Sequence, residues 1–196
     1  MEQLAEQVQE VLNHFNIARY IGIGVGLGAN VLTRHALAYP ERVDSLMLIN
    51  TSTTKAGWVE WGYQKRNVSH LRTSGVTEPV LDYLLWHHLG VQYSERAHDL
   101  LQVGHCLLCI VYNQLSCFWQ VYKHYFTHNV NAANLAPLVE QYIWRSDIPL
   151  TREVSEKKTL QPPVLNLVGI HSPHIEESVN FNGRLTPSKT NWIKVR

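Results

Sequence analysis

The stretch YIGIGVGLGANVLTRHALAYPERVDSLMLIN, residues 20–50, decides the fold. The run Tyr20–Gly24 predicts a β-strand, and residues 29–39 predict a helix that ends at Pro40, because the residue before a proline avoids helical backbone angles. The short apolar run Ser45–Ile49 predicts a second, buried strand. A strand, a helix and a strand in this order indicate a parallel α/β unit with a right-handed crossover.

Three glycines, Gly24, Gly26 and Gly28, form the turn between the first strand and its helix. A strand, a tight turn and a helix are typical of the nucleophile elbow G-x-S-x-G, in which the central serine attacks the substrate. Gly26 takes the central position, and glycine has no side chain that can attack. The turn therefore predicts the architecture of a hydrolase elbow without its nucleophile.

Apolar residues at helical spacing predict further helices on both sides of this unit. One amphipathic helix is expected over residues 2–15, and only helices are expected between residues 54 and 158. A strand is then expected over residues 163–168, a helix that starts at Ser172-Pro173, and a last strand over residues 190–195. The order of elements predicts an α/β fold that a long helical segment interrupts.

The composition limits the classes of function. Of the 196 residues, 45% are hydrophobic and 17% are charged, and the formal net charge is +1, so a core is expected and disorder is not. No basic run indicates nucleic-acid binding and no transmembrane segment is predicted, whereas peripheral membrane association stays open. The N-terminus predicts an acidic helix and no signal peptide, so a cytoplasmic protein is expected.

Several stretches resemble the N-myc downstream-regulated (NDRG) family of α/β-hydrolase-fold proteins. The similar stretches are residues 1–15, 20–51, 84–90, 142–152, 159–172 and 179–185. Among them, YIWRSDIPLTR at residues 142–152 contains Arg145, Asp147 and Arg152. The resemblance implies a hydrolase fold without hydrolase activity. It also implies a cytoplasmic role in differentiation, stress response, signalling or vesicle trafficking, through protein partners that the sequence does not identify.

On this basis the chain is expected to be a partial α/β-hydrolase fold, with a parallel sheet and a helical cap insertion. Residues 1–53 and 159–196 would form the incomplete core, and residues 54–158 the cap-like insertion. Because upstream strands are expected to be missing, the strand at residues 20–24 would be an exposed apolar edge. Such an edge favours aggregation.

A serine hydrolase needs a nucleophile, a base, an acid and an oxyanion hole. Gly26 stands at the nucleophile position, and Ile170 stands where the family pattern places the acid. The base and the oxyanion loop would lie beyond the two ends of the chain. We therefore expect no enzyme activity, no catalytic residue, no cofactor and no metal. Residual hydrolase or esterase activity is the alternative, but the adjacent His171 and Ser172 are expected to be structural, with Ser172 as a helix cap.

Dinucleotide binding is a weaker alternative, because Gly24, Gly26 and Ala29 also fit the pattern G-x-G-x-x-G/A. That pattern requires an acidic residue at the end of the second strand, where it contacts the ribose. Here Asp44 lies at the start of the second strand and Asn50 at its end. The glycines are therefore interpreted as a tight turn with close packing of the helix on the strand.

Metal binding is not expected from the histidines and cysteines. His87 and His88 are neighbours on a predicted helix, so their side chains point about 100° apart. A second group consists of His105, Cys106, Cys109 and Cys117. The residues between these are mostly apolar, and no second pair of ligands follows at zinc-site spacing.

Residues 103–120, VGHCLLCIVYNQLSCFWQ, have no counterpart in the family pattern. Without them, Leu100–Gln102 would join Val121–His124 as one continuous helix. The first valine and the last glutamine match what translated splice-donor and splice-acceptor sequences encode, so a retained intron or an alternative exon is expected. The segment is too short and too polar in places to span a membrane.

Aromatic residues of the helical segment are expected to pack in its interior. Two of them, Trp58 and Trp61, are three residues apart on one predicted helix. The others follow the insert, and they are Tyr122, Tyr125 and Phe126, with His128 beside them.

Overall fold

The computed structural model describes residues 1–89, 115–152 and 158–195. The chain divides into two compact units. Residues Met1–Ala56 and Trp144–Arg196 form the first, called here the sheet unit, and residues Gly57–Ile143 form the second, called here the helical unit.

Four parallel strands form one sheet in the order β1-β2-β3-β4. Their bounds are β1 Tyr20–Val25, β2 Val43–Ile49, β3 Val164–Gly169 and β4 Thr190–Val195. The predicted parallel α/β sheet is confirmed, and the strand boundaries agree with the sequence pattern within two residues.

Seven α-helices lie within the described ranges. In the sheet unit they are α1 Glu2–His14, α2 Leu27–Ala38 and α7 Ile175–Gly183. In the helical unit they are α3 Trp58–Thr73, α4 Glu78–Leu89, α5 Leu115–His128 and α6 Ala132–Ile143. Single 3-10 turns at Pro40–Arg42 and Pro187–Lys189 precede β2 and β4.

One face of the sheet forms the core of the sheet unit. Leu46 and Leu48 of β2 and Val164 of β3 are buried there, because alternate strand residues point to the same face. Ala36 of α2 and Phe181 of α7 are buried in the same cluster. Burial of each large apolar side chain stabilises the fold by roughly 1.5–3 kcal/mol, so this cluster is the main source of stability in the unit.

The opposite face of the sheet is apolar and largely exposed. Ile21, Ile23 and Val25 of β1 are 70%, 67% and 48% exposed, and Ile193 of β4 is 47% exposed. β1 is also the edge strand of the sheet, as the sequence predicted. Parallel sheets are ordinarily covered on both faces, so this exposed face, called here the open face, is an unusual apolar surface.

The start of α7 differs from the prediction. The helix begins at Ile175 with His174 at its N-cap position, so the prediction that Ser172 caps the helix and Pro173 opens it is wrong. Ser172 Oγ instead accepts a hydrogen bond from the backbone N–H of His174, at 3.1 Å, which closes a turn before the helix. Two glutamates do lie in the first turn of α7, where the helix dipole favours negative charge.

The core of the helical unit is formed by α3, α4 and α6. Its buried residues are Val68, Leu71, Val80, Ala136 and Ile143. Trp61 packs against this cluster, as expected, together with residues of the predicted apolar stripes of α4 and α6. Helical periodicity therefore located the core of this unit.

Three of the aromatic and histidine predictions for the helical unit are wrong. Trp58 is 89% exposed, because it is the first residue of α3 and lies one turn before Trp61, where the core begins. Tyr125 is 53% exposed and His128 is also exposed. Both belong to α5, which contributes no residue to the described core cluster. Phe126 is half-buried, and the side chain of Tyr122 lies outside the described residues.

The boundary between the two units differs from the predicted one. The helical unit ends at Ile143, whereas the sequence extended the insertion to residue 158. The chain returns earlier because residues after Trp144 bond to the loop after β2. Arg145 Nε donates to the carbonyl of Thr54 at 2.7 Å, and the N–H of Ile148 donates to the carbonyl of Thr53 at 2.8 Å.

Two predictions fall mainly outside the described residues. Residues 103–114 of the predicted insert are not described. This range includes His105, Cys106 and Cys109, which the sequence analysis rejected as zinc ligands. The rest of the insert lies in the first part of α5, where the side chain of Cys117 is not described. The origin of residues 103–120 as an intron or exon stays a prediction, which sequencing of the transcript would test.

His35 of α2 is fully buried between β1 and α1. The Tyr20 hydroxyl and His35 Nδ1 form a hydrogen bond of 2.8 Å, and His35 Nε2 donates to Gln9 Oε1 at 3.2 Å. Burial, with Arg42 nearby, lowers the pKa of His35, and burial also raises the pKa of Tyr20 to about 12. Folding therefore disfavours the charged form of this histidine.

We expect this histidine to make stability depend on pH. The pKa of His35 is higher in the unfolded chain, near 6.5, so the unfolded chain binds the proton first as the pH falls. The free energy of unfolding is therefore highest above about pH 6.5 and decreases below it. Urea unfolding followed by circular dichroism at pH 7.5 and 5.5 should show a smaller loss in His35→Gln than in the unmodified chain. His14→Gln, at an exposed position, controls for removal of a histidine. Equal losses in all three proteins would contradict this expectation.

Candidate functional site

The elbow between β1 and α2 has a backbone conformation that glycine adopts readily and other residues do not. Gly26 has φ 53° and ψ −110°, a region that side-chain-bearing residues rarely adopt. Its N–H donates to the carbonyl of Ile49 at 2.9 Å, and its carbonyl accepts from the N–H of Asn30 at 3.1 Å. These bonds attach the turn both to β2 and to the first turn of α2. The predicted strand–turn–helix geometry is therefore present, with Gly26 at the turn.

The carboxyl ends of β1, β2 and β3 meet beside this turn. Asn50 follows β2 with a positive φ of 52°, and its N–H donates to the carbonyl of Leu167 in β3, at 3.0 Å. Ser172, which follows β3, donates from Oγ to Asn50 Oδ1 at 3.0 Å. Open α/β sheets bind ligands at this edge, so this is where a functional site is sought first.

The other predicted positions are also at this edge. Ile170 directly follows β3, is half-buried, and donates its N–H to the carbonyl of Val195 at 2.9 Å. His171 is exposed. Ser172 Oγ is held by Asn50 on one side and by the N–H of His174 on the other. Through these bonds the Ser172 hydroxyl joins the segments that follow β2 and β3.

A buried polar network behind the elbow was not anticipated from the sequence. Asn30, which is fully buried in α2, donates from Nδ2 to the carbonyl of Ser52 at 2.7 Å and accepts from Arg34 Nε at 2.9 Å. The Arg34 guanidinium also donates to Glu2 and, at 3.0 Å, to Ser146 Oγ. The network therefore joins the elbow helix to both chain segments that flank the helical unit.

Burial and pairing shift the pKa values of the charged pair in this network. Burial lowers the pKa of Arg34, and the negative charge of Glu2 partly offsets that effect. Burial acts to raise the pKa of Glu2, but hydrogen bonds from its own backbone and from Ser146, together with Arg34, lower it overall. Both groups therefore stay charged at neutral pH and pair with each other.

The segment 142–152 has a structural role that its resemblance to the family did not specify. Besides the bond from Arg145 to Thr54, Asp147 Oδ1 accepts from the backbone N–H of Lys55 at 2.6 Å. Both side chains hold the loop that follows β2. The charged residues at family-like positions were the only sequence signal for this contact.

Dinucleotide binding requires an acidic residue at the end of β2, and no acidic residue lies there. Asp44 lies at the start of β2, at the opposite end of the strand from the glycine turn, and pairs with Arg19 at 2.8 Å. Asn50 occupies the end of β2. A ribose contact at the carboxyl edge would therefore need another residue.

The described residues contain no group of three or more His, Cys, Asp or Glu side chains that could hold a metal ion. The ring of His87 stacks on Tyr83 at 5.8 Å and meets Tyr142 edge-on at 6.4 Å. Within the same ranges, none of the helices combines the length and the apolar character that crossing a bilayer requires.

Solved structures share this fold. The enol-lactonase from Burkholderia xenovorans LB400 superposes with a TM-score of 0.71 and 17% identity, covering 99% of this chain and 64% of that chain. A thermophilic esterase from Thermogutta terrifontis superposes with a TM-score of 0.63 and 17% identity, covering 99% and 62%. The elbow, the parallel sheet and these similarities define a partial α/β-hydrolase fold.

The chain belongs to the Ndr family, whose model matches residues 1–196. It is 32% identical over 200 residues to Protein NDRG3 of Xenopus laevis and 29% identical over 197 residues to Protein NDRG1 of Xenopus tropicalis. Each match covers 100% of this chain but only 47% and 44% of those proteins, so the chain spans less than half their length. The predicted family resemblance is confirmed.

Proposed function

We propose that this chain is a non-catalytic member of the Ndr family. In this proposal it acts through protein–protein contacts in signalling, differentiation or stress response, in the cytoplasm. The observation that carries the proposal is the elbow, which keeps its sharp strand-to-helix turn while Gly26 provides no attacking group. Because glycine adopts a positive φ without strain, Gly26 suits the turn itself rather than catalysis, and this favours a scaffold role.

Two neighbouring residues support the absence of catalysis. Ile170, at the position of the acid, has no ionisable group that could orient a histidine. Ser172, the nearest serine after β3, has its hydroxyl engaged by Asn50 and His174. A replacement nucleophile would have to give up both of these bonds.

The open face of the sheet supports the interaction part of the proposal. Ile21 and Ile23 are more than half exposed, and contiguous apolar surfaces of this kind often mark sites of protein contact. Affinity capture with this chain and with its Ile23→Lys variant tests this part. Partners that this chain captures and that Ile23→Lys loses would support the proposal, and capture of the same proteins by both would contradict it.

Residual hydrolase or esterase activity is the second candidate function. The shared fold with an enol-lactonase and an esterase favours it. Because that likeness concerns the fold alone, the chemistry has to be tested directly.

A serine-directed fluorophosphonate probe and an ester substrate separate the two candidates. We expect neither labelling nor turnover of p-nitrophenyl acetate above the rate in buffer, with an active esterase as the positive control. The variant Gly26→Ser is expected to stay inactive, because Ile170 cannot orient a base, and to lose roughly 1–3 kcal/mol of stability from the positive φ. Labelling of a serine accompanied by turnover in the unmodified chain would overturn the non-catalytic assignment.

A further inference from the structure

The helical unit contains a cleft that the elbow site does not use. One stripe of α3, with Val59, Tyr63 and Asn67, faces a stripe of α4 with Tyr83 and Trp86. The cavity volume is about 710 Å³. Ligand sites of small molecules are mostly apolar clefts of roughly 300–1,000 Å³, so the size fits a small organic molecule.

The walls of the cleft are aromatic and are held in place. Gln64 Nε2 donates to the hydroxyl of Tyr83 at 2.5 Å, which ties α4 to α3. The ring of Tyr83 lies 5.6 Å from that of Trp86 at an angle of 49°. Tyr63 contributes a third ring from α3. Aromatic rings attract one another in offset or edge-to-face arrangements, so a ligand ring can pack against these side chains.

One polar group of the lining lacks a partner. Asn67 is only 6% exposed, and its Nδ2 atom is buried without a hydrogen-bond partner in the described part of the chain. A buried donor without a partner destabilises the folded chain. The terminal amide torsion of asparagine is broad, so a ligand carbonyl can draw Nδ2 toward the cleft and remove this cost.

Acidic residues outnumber basic ones at the mouth of the cleft. Glu60 and Asp82 are acidic and Arg66 is basic, and both Asp82 and Arg66 are exposed. A negative charge on the ligand would have to leave water and would meet this acidic excess, which is unfavourable. The lining therefore favours a carbonyl over a carboxylate as the acceptor group of the ligand.

We propose that this cleft binds an aromatic compound with an uncharged carbonyl group, whose oxygen accepts a hydrogen bond from Asn67 Nδ2 while its ring packs against Tyr83 and Trp86. The proposal is independent of the elbow and of the non-catalytic role, since all of these residues belong to the helical unit.

A matched pair of fluorescent naphthalenes tests this site on the complete chain. The first probe is 6-propionyl-2-(dimethylamino)naphthalene, and the second is 6-propyl-2-(dimethylamino)naphthalene, which lacks the carbonyl. Asn67→Leu should weaken binding of the first probe about 5–10-fold and leave the second unchanged, as expected for one lost hydrogen bond. Trp86→Ala should weaken both probes at least tenfold.

Three controls keep the result decisive. Trp58→Ala removes an exposed tryptophan outside the cleft and should change neither affinity. Ile23→Lys should also change neither, which excludes binding of the probes to the open face. Tyr63→Ala, at a residue that is 60% exposed, weakens both probes without removing a core side chain, and it replaces Trp86→Ala if that variant does not fold. Absence of binding by the unmodified chain, or equal effects of Asn67→Leu on both probes, would overturn the proposal.

Discussion

Replacing Gly24 by alanine is expected to destabilise the sheet unit by about 3 kcal/mol, at the upper end of the usual cost of overpacking. An added Cβ would lie 2.7 Å from both Cα and N of Ala29 and 2.8 Å from the carbonyl carbon of Gly28. These atoms belong to the backbone of α2, so they cannot move aside as the end of a flexible side chain can. The helix would have to lift away from β1.

Gly28 provides the matched control, because a Cβ at that position meets no atom within 4 Å. Gly28→Ala lies near the start of α2 and should stabilise the helix by roughly 0.5–1 kcal/mol through the lower entropy of the unfolded chain. Urea unfolding of the two variants should therefore shift in opposite directions. A loss below about 1 kcal/mol in Gly24→Ala would show that the elbow and α2 do not pack as closely as described here.

Replacing Ile23 by lysine is expected to reduce self-association of the polypeptide strongly. Ile23 lies in the edge strand and is 67% exposed on the open face of the sheet. An apolar edge strand pairs readily with another chain, and a charged side chain opposes that pairing. Burial of an isoleucine contributes roughly 1.5–3 kcal/mol, so its loss should raise the dissociation constant of self-association about tenfold or more.

Sedimentation velocity at several protein concentrations measures this effect. Val179→Lys is the control, since Val179 is 52% exposed but lies on α7, away from the edge strand. We expect the unmodified chain and Val179→Lys to form concentration-dependent oligomers, and Ile23→Lys to sediment mainly as a monomer. A monomeric unmodified chain with a sharp two-state thermal transition would show that the open face does not drive association.

Most elements were predictable because their signals are local. The glycines of the elbow, Pro40 after α2 and the apolar run of β2 each act on their own neighbours in sequence. Local patterns gave a wrong prediction for Ser172, because serine is a common helix cap. Its hydroxyl instead donates to Asn50, 122 residues away, and accepts a hydrogen bond from His174 in a local turn.

The site was less predictable than the fold. Gly26 and Ile170 could be placed beside the elbow and after β3 from the sequence, but Asn30 and Arg34 looked like ordinary helix residues. Trp58 was misjudged because periodicity shows which residues share a helix face and does not show where along the helix the core begins. The lining of the cleft was missed for the same reason, since it requires knowing which faces of α3 and α4 meet.

By itself, the sequence determined the β1–elbow–α2–β2 unit, the parallel sheet, the family and the lack of an attacking side chain at Gly26. Only the tertiary structure decided which polar groups meet behind the elbow, which face of the sheet stays open, and that Asn67 Nδ2 has no hydrogen-bond partner among the described residues. The bonds from Arg34 to Ser146 and from Arg145 to Thr54 join residues 112 and 91 positions apart. Backbone propensity and hydrophobic periodicity act over a few residues, whereas such contacts form only where packing brings distant segments together.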